Sequence, residues 1–168
     1  MRGALRRKPG RRDEWVARVD RIDRLDPMET GLRHRVKRAV RQMSDQHRNI
    51  RASHGSIRGA LERGGVQDTR AALDRLQSAM DAHFTLEDEV FFPALHGLRP
   101  EFADSLEALS REHAGFSEEL RKLGAGLEAS DVEAFQSGFD VYAEALAAHE
   151  RREEQIVATL VESIVASG

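Results

Sequence analysis

The chain has 168 residues, no cysteine and a formal net charge of −3. This length predicts one domain with its own core, and the lack of cysteine excludes disulfide frameworks, thiolate metal sites and cysteine nucleophiles. No stretch approaches the roughly 18 apolar residues of a membrane span, and the N-terminus lacks the apolar segment of a secretory signal. We therefore expect a cytoplasmic protein without a membrane partner.

The charges are unevenly distributed along the chain. Residues 1–63 carry 18 of the 26 Lys and Arg but only eight of the 29 acidic residues. Such a split can indicate a nucleic-acid surface, but a basic helix beside acidic helices is an equally simple explanation, and we favour it because charge runs are usually solvated. We predict a flexible basic arm over 1–12, a short amphipathic helix over 13–25 and a helical bundle over 26–168.

Four long helices are predicted within the bundle. Asp26 followed by Pro27 is typical of a helix start, and Gly64-Gly65 is typical of a helix end. The run Ser-Asp-Val-Glu at 130–133 predicts a capping box, and Pro93 predicts a kink in the second helix beyond Glu87. Apolar residues recur at steps of three and four, which predicts an all-α, antiparallel up-down four-helix bundle with a short extra N-terminal helix. The four helices are expected over about 27–63, 68–97, 101–128 and 131–163.

Polar side chains occupy core positions in every one of these helices, at places where leucine would be expected. A buried carboxylate without partners costs several kcal/mol, so two glutamates beside several inward histidines call for a compensating cation. A single inward histidine is more often an ordinary hydrogen-bonded core residue, so the prediction depends on the whole set. The candidate metal ligands are His47, His83, Glu87, His113, His149 and Glu153.

The spacing of these residues supports one shared site. His47 to His83 and His113 to His149 are both 36 residues apart, and each second histidine is followed four residues later by glutamate. At about 1.5 Å per residue the first three histidines lie at one level, whereas His149 is displaced from His113 by about 4.5 Å. His54 lies two turns from His47, so we interpret it as a core histidine or one beside the ligands.

At this point the sequence resembles the hemerythrin-like, or HHE cation-binding, family over residues 32–160. The family pattern is a histidine, HxxxE, a histidine and HxxxE on four successive helices, and the chain matches it with Phe-Phe-Pro at 91–93 behind the first HxxxE. The resemblance implies a non-haem di-iron centre (Fe2+/Fe3+) with Glu87 and Glu153 as bridging carboxylates. It also implies a solvent-derived bridge and dioxygen or a related small molecule as the ligand.

Two departures from the oxygen-carrying members bear on function. Those proteins have a further histidine one turn after the third-helix ligand, where this chain has Ser117. They also place the last carboxylate five residues after its histidine, which would select Glu154, whereas we predict Glu153. An open coordination position makes reversible oxygen storage less secure and leaves room for peroxide chemistry, oxygen or nitric oxide sensing, or iron handling. The ligands do not choose among these.

Tyr142 lies seven residues before His149 on the same helix face. It can serve as a hydrogen-bond donor, redox participant or additional ligand beside the metal, although a space-filling core aromatic is the more common role. The leading function is binding or sensing of dioxygen, nitric oxide or redox state. The rivals are a di-iron enzyme that decomposes peroxide and a metal-stabilised adapter that contacts nucleic acid through its basic N-terminal region. Zinc is a substitute metal, and the oligomeric state is left open.

Overall fold

The computed structural model describes residues 30–128 and 131–166, so the predicted segments 1–12 and 13–25 lie outside the described residues. The described residues form four long antiparallel helices, which confirms the predicted all-α up-down bundle. The second long helix is composite, because a π-helical segment, Glu87–Phe91, interrupts it. The α-helices are α1 (Thr30–Glu62), α2 (Val66–Leu86), α3 (Phe92–Leu98), α4 (Ala103–Glu128) and α5 (Val132–Ala166).

The helix ends follow the local turn chemistry. Gly64 has a φ of 70°, a left-handed conformation that glycine adopts without steric cost, and its N–H donates to the Leu61 carbonyl. At the start of α5 the Asp131 carboxylate accepts the Ala134 N–H at 3.0 Å. The cap of α5 is therefore Asp131 rather than the predicted Ser130, which lies outside the described residues.

The apolar core consists of two clusters, one toward each end of the bundle. The first is built around Met43, Phe91 and Leu109, and the second around Ile50, Met80 and Phe139. A polar layer lies between them, as the chain order of α1 shows: Met43 belongs to one cluster and Ile50 to the other, with His47 in between. The two clusters hold the helices at fixed positions on either side of that layer.

None of the helices in the described part of the chain is both long enough and apolar enough to cross a membrane.

Candidate metal centre

Six polar side chains from the four long helices converge in the middle of the bundle. Each was predicted from its core position, and none is more than 5 % exposed. The offset of about 4.5 Å predicted between His113 and His149 does not keep their side chains apart, since their Nε2 atoms lie 3.3 Å from each other. The six residues are His47 on α1, His83 on α2, Glu87 in the π segment, His113 on α4, and His149 and Glu153 on α5.

Glu87 is the first residue of the π segment. The Phe92 N–H donates to the Glu87 carbonyl five residues back, one residue further than in an α-helix. Pro93 comes directly afterwards; it lacks an N–H, and its ring crowds the carbonyl four residues earlier, so a wider turn accommodates it. The structure has a π segment where a kink was predicted, and within it Glu87 is fully buried while the neighbouring Asp88 is exposed.

The donor atoms form two overlapping groups, and within each group all atoms lie within 4.8 Å of one another. The Nε2 atoms of His47 and His83 are 3.2 Å apart, and those of His113 and His149 are 3.3 Å apart. Both groups contain the same two glutamates. Group A is His47, His83, Glu87 and Glu153, and group B is His113, His149, Glu87 and Glu153.

Each shared carboxylate turns one oxygen toward each group. Glu87 Oε1 lies 3.2 Å from His83 Nε2, and its Oε2 lies 3.1 Å from His113 Nε2. Glu153 Oε1 lies 2.7 Å from His149 Nε2, and its Oε2 lies 3.8 Å from His47 Nε2. Two cations held by groups A and B would therefore share both carboxylates.

The four carboxylate oxygens of this layer are buried, and apart from the histidine Nε2 atoms just described they have no hydrogen-bond partner among the described residues. An ionised carboxylate buried in this way costs several kcal/mol, and a bound cation supplies the missing charge. Imidazole nitrogen and carboxylate oxygen are donors that suit iron, zinc and manganese. The residues present therefore fit a two-metal site.

Residues 38–161 match the model of the Hemerythrin HHE cation binding domain, a range that includes all six converging side chains. The chain belongs to this family. Comparisons with curated proteins and with solved structures give no significant match. The family resemblance predicted from the sequence is thus confirmed.

Without metal, the polar layer of this HHE domain distributes protons unevenly. Burial and the neighbouring Glu153 raise the pKa of Glu87 to about 7, while burial and the nearby His47 lower the pKa of His83 to about 3. Burial alone would lower the pKa of His149, but the carboxylates of Glu153 and Glu87 raise it to about 10. At neutral pH a proton therefore stays on His149 beside ionised Glu153, and a metal that binds there must displace it.

Three polar side chains of the HHE domain contact the outward-facing Nδ1 atoms of the histidines. Sequence reasoning missed all three, although each directly adjoins a predicted ligand in the sequence. With imidazole Nδ1–H as donor and the side-chain oxygen as acceptor, the pairs are His83 with Gln46 at 3.4 Å, His113 with Asp88 at 2.9 Å and His149 with Glu112 at 2.8 Å.

Two arginines hold acidic residues next to this layer. The guanidinium of Arg152 donates to both oxygens of Glu112, each at 2.6 Å, which is the bidentate geometry of a strong charged pair. Arg51 donates to Glu150 at 3.0 Å, and burial raises the pKa of that carboxyl. These contacts fix the acidic residues beside the site rather than within either group.

Tyr142 and His54 lie outside both groups of the HHE domain. Their ring centroids are 6.5 Å apart, and the Tyr142 hydroxyl and His54 Nε2 are both buried without a hydrogen-bond partner among the described residues. Phe116 contacts both Tyr142 and the cluster, since its ring centroid lies 5.8 Å from that of Tyr142 and 5.3 Å from that of His149. A role for Tyr142 or His54 beside the metal stays a prediction.

The two departures from the oxygen carriers have a clear location in the structure. Glu153 belongs to both groups, whereas Glu154 is partly exposed and belongs to neither. Ser117 is half-buried and lines a groove of about 450 Å³ between α2 and α4, with Leu73 and Leu120. No additional imidazole approaches the cluster from that position.

Proposed function

We propose that this HHE domain binds two iron ions with a solvent-derived bridge and uses them to bind or sense dioxygen, nitric oxide or redox state. In this proposal His47, His83, His113 and His149 are terminal ligands, and Glu87 and Glu153 are bridging ligands. The observation that supports it most is the pair of buried carboxylates, each of which turns one oxygen to each histidine pair. A single cation would need only one of these groups.

The number of protein donors leaves room for a small ligand. Each group offers two imidazole nitrogens and one oxygen from each of two carboxylates. Iron in such nitrogen and oxygen sites keeps open positions when the protein supplies fewer than its usual six donors. When bound, the iron pair supplies reversible electron transfer and Lewis acidity to whatever molecule occupies those positions.

The surroundings favour a small apolar molecule. Phe84 stacks on His113 at a centroid distance of 4.1 Å, and Phe116 lies across from His149. Met43 and Met80 are fully buried in the core clusters on the two sides of the polar layer. Such walls exclude bulk water, which strengthens electrostatic interactions inside and suits a diatomic gas better than a charged metabolite.

Visible absorption of the iron(II)-loaded protein tests this proposal. Protein prepared without air is exposed to dioxygen and then deoxygenated, and His113→Ala serves as the site variant. An oxygen-dependent band that disappears on deoxygenation, and that His113→Ala lacks, supports reversible binding. A spectrum that does not respond to dioxygen or nitric oxide contradicts the proposal.

Peroxide decomposition is the second candidate, because Ser117 provides no further imidazole and so leaves coordination positions open. Sustained peroxide turnover by the iron-loaded protein, abolished in His113→Ala, would favour an enzyme over a sensor. Zinc is retained as a substitute metal, since it accepts the same donors. The cytoplasmic location and a nucleic-acid role of the basic N-terminal region stay predictions, and that region lies outside the described residues.

A further inference from the structure

The two halves of the site correspond to each other at a shift of 66 residues. This shift carries His47 to His113, His83 to His149 and Glu87 to Glu153. The six converging residues are therefore chemically identical between the halves. Any difference between the two metal positions must come from the residues around them.

One such difference lies directly before the first histidine of each half. Gln46 precedes His47, and its counterpart Glu112 precedes His113. Both side chains occupy the same structural place, since each contacts Nδ1 of the histidine 37 residues later. The histidine in group A thus faces a neutral amide, and its counterpart in group B faces a carboxylate.

In group A the contact at Nδ1 of His83 is long and uncharged. Gln46 Oε1 lies 3.4 Å from His83 Nδ1, and Gln46 Nε2 donates to the Ala82 carbonyl at 3.3 Å. The second contact orients the amide, because it turns the amide oxygen toward the imidazole. The position that corresponds to Arg152 in this half is Leu86, which offers no charge to Gln46.

The contacts in group B are short and charged. Glu112 Oε2 lies 2.8 Å from His149 Nδ1, and Arg152 holds both Glu112 oxygens. The second histidine of the group, His113, also has a carboxylate at its Nδ1, from Asp88 at 2.9 Å. Both imidazoles of group B therefore donate to carboxylates.

A carboxylate at Nδ1 changes the ligand strength of the same ring at Nε2. The Nε2 atoms of His83 and His149 face the shared glutamates, so a cation takes Nε2 and the proton remains on Nδ1. Donation of that proton to a carboxylate makes the imidazole more basic and fixes its orientation, and such partners are worth about 10- to 100-fold in metal affinity. A neutral amide at longer distance gives less. In group B the two carboxylate partners, Glu112 and Asp88, together offset the proton that a metal must displace from His149.

We propose that the two metal positions are unequal: group B binds a divalent transition-metal cation first and more tightly, group A binds second, and the Gln46 and Glu112 pair sets the difference. Gln46 and Glu112 act through His83 and His149 and are therefore positioning residues. The inference rests on the proposed two-metal site. It means that a half-loaded protein holds its metal at His113 and His149 and keeps the His47 and His83 position open.

Zinc titration followed by NMR tests this order. Metal-free protein labelled with ¹⁵N-histidine is titrated with Zn²⁺, and the imidazole nitrogens, assigned through the backbone, are followed in long-range ¹H–¹⁵N spectra. The Nε2 signals of His113 and His149 should move with the first equivalent, and those of His47 and His83 with the second. Simultaneous movement, or movement of the group A signals first, overturns the proposed order.

Reciprocal variants test the assigned cause. Glu112→Gln should lower the affinity of the first step by roughly 10- to 100-fold, and Gln46→Glu should raise that of the second. The double variant should bring His83 ahead of, or level with, His149, while Glu119→Gln on the exposed face of α4 should change nothing. An unchanged affinity of the second step in Gln46→Glu overturns the role of this pair, even if Glu112→Gln fails to fold.

The stoichiometry separates this inference from the function it rests on. If two zinc ions bind without the predicted order, the two-metal site stands and the inequality fails. If fewer than two bind, or the imidazole signals do not move, the two-metal site fails and the inequality with it.

Discussion

Glu87→Gln should stabilise the metal-free protein at alkaline pH while it removes one of the two proposed bridging ligands. Glu87 is fully buried, and apart from the imidazoles of the site its oxygens have no hydrogen-bond partner among the described residues. The substitution keeps the size of the side chain and removes its ability to ionise. A residue placed for metal binding should therefore cost stability when the metal is absent.

The size of the effect follows from the pKa of Glu87. Burial and repulsion by Glu153 raise it to about 7 from an ordinary value of 4.5. The folded state therefore holds this proton more tightly than the unfolded chain, so stability is lost as pH rises from 4.5 and the loss is complete above 7. A pKa change of one corresponds to about 1.4 kcal/mol, which gives a cost of roughly 3 kcal/mol at pH 8.

Urea unfolding of chelator-treated protein at pH 5 and pH 8 measures this cost. Glu87→Gln should match the wild-type protein closely at pH 5 and exceed it by roughly 3 kcal/mol at pH 8. Added Zn²⁺ should then stabilise the wild type more than the variant, since the metal binds only the folded state. Glu144→Gln, at an exposed position on α5, is the matched control and should show no such pH dependence. A variant that is less stable than the wild type at pH 8 would refute the reasoning.

Three further outcomes are expected. Burial would lower the pKa of His149, but the Glu153 carboxylate raises this pKa to about 10. Zn²⁺ binding at pH 7 should therefore release about one proton from this ring, and the affinity for Zn²⁺ should weaken as pH falls. Calorimetry in buffers of different ionisation enthalpy measures the proton release, and a binding reaction that releases no proton would contradict this prediction. Burial lowers the pKa of His54 to about 4 from an ordinary value of 6.5. As pH falls, the unfolded chain therefore protonates this imidazole before the folded protein does, and the free energy of unfolding decreases between pH 6.5 and pH 4. His54→Leu should reduce that fall by about 1–2 kcal/mol, allowing for partial exposure, as measured by urea unfolding at both pH values. Gly64→Ala should destabilise the fold by about 1 kcal/mol, because Gly64 has a positive φ. Gly115→Ala should stabilise it by about 0.5–1 kcal/mol, because Gly115 is a residue of α4 at which an added Cβ meets no neighbour. Thermal unfolding that gives the same sign for both substitutions would contradict this prediction.

The helices could be predicted because their signals are local. Apolar spacing of three and four residues fixes the buried face of each helix, and Gly64 ends α1 where its conformation requires. The convergence of the six polar residues follows from the same periodicity, since each replaces a core residue at a similar depth. Their action as metal ligands stays a prediction.

Other features depend on geometry that spacing does not specify. The level of His149 was predicted from distances to the preceding turn, yet its Nε2 lies 3.3 Å from that of His113. The comparison of helix ends could not decide this, because predicted ends carry an error of one or two residues and side chains reach across such an offset. Pro93 predicts a kink, but whether a kink or a π segment results depends on how the neighbouring helices pack.

The contacts to the outer histidine nitrogens were the main feature missed. Gln46, Asp88 and Glu112 each adjoin a predicted ligand, but adjacent residues on a helix point about 100° apart. Whether such a residue reaches a histidine on the next helix depends on the rotation of both helices about their axes. The sequence signal was a polar residue directly beside a predicted ligand, and such neighbours are common on solvated helix faces.

The metal content of the protein tests the central claim most directly. Protein expressed in iron-supplemented medium is purified with and without air, and iron and zinc per chain are measured together with the visible spectrum. The two overlapping groups predict two irons per chain and an absorption band that depends on oxygen. No metal, one metal per chain, or zinc alone after iron supplementation would contradict the di-iron assignment.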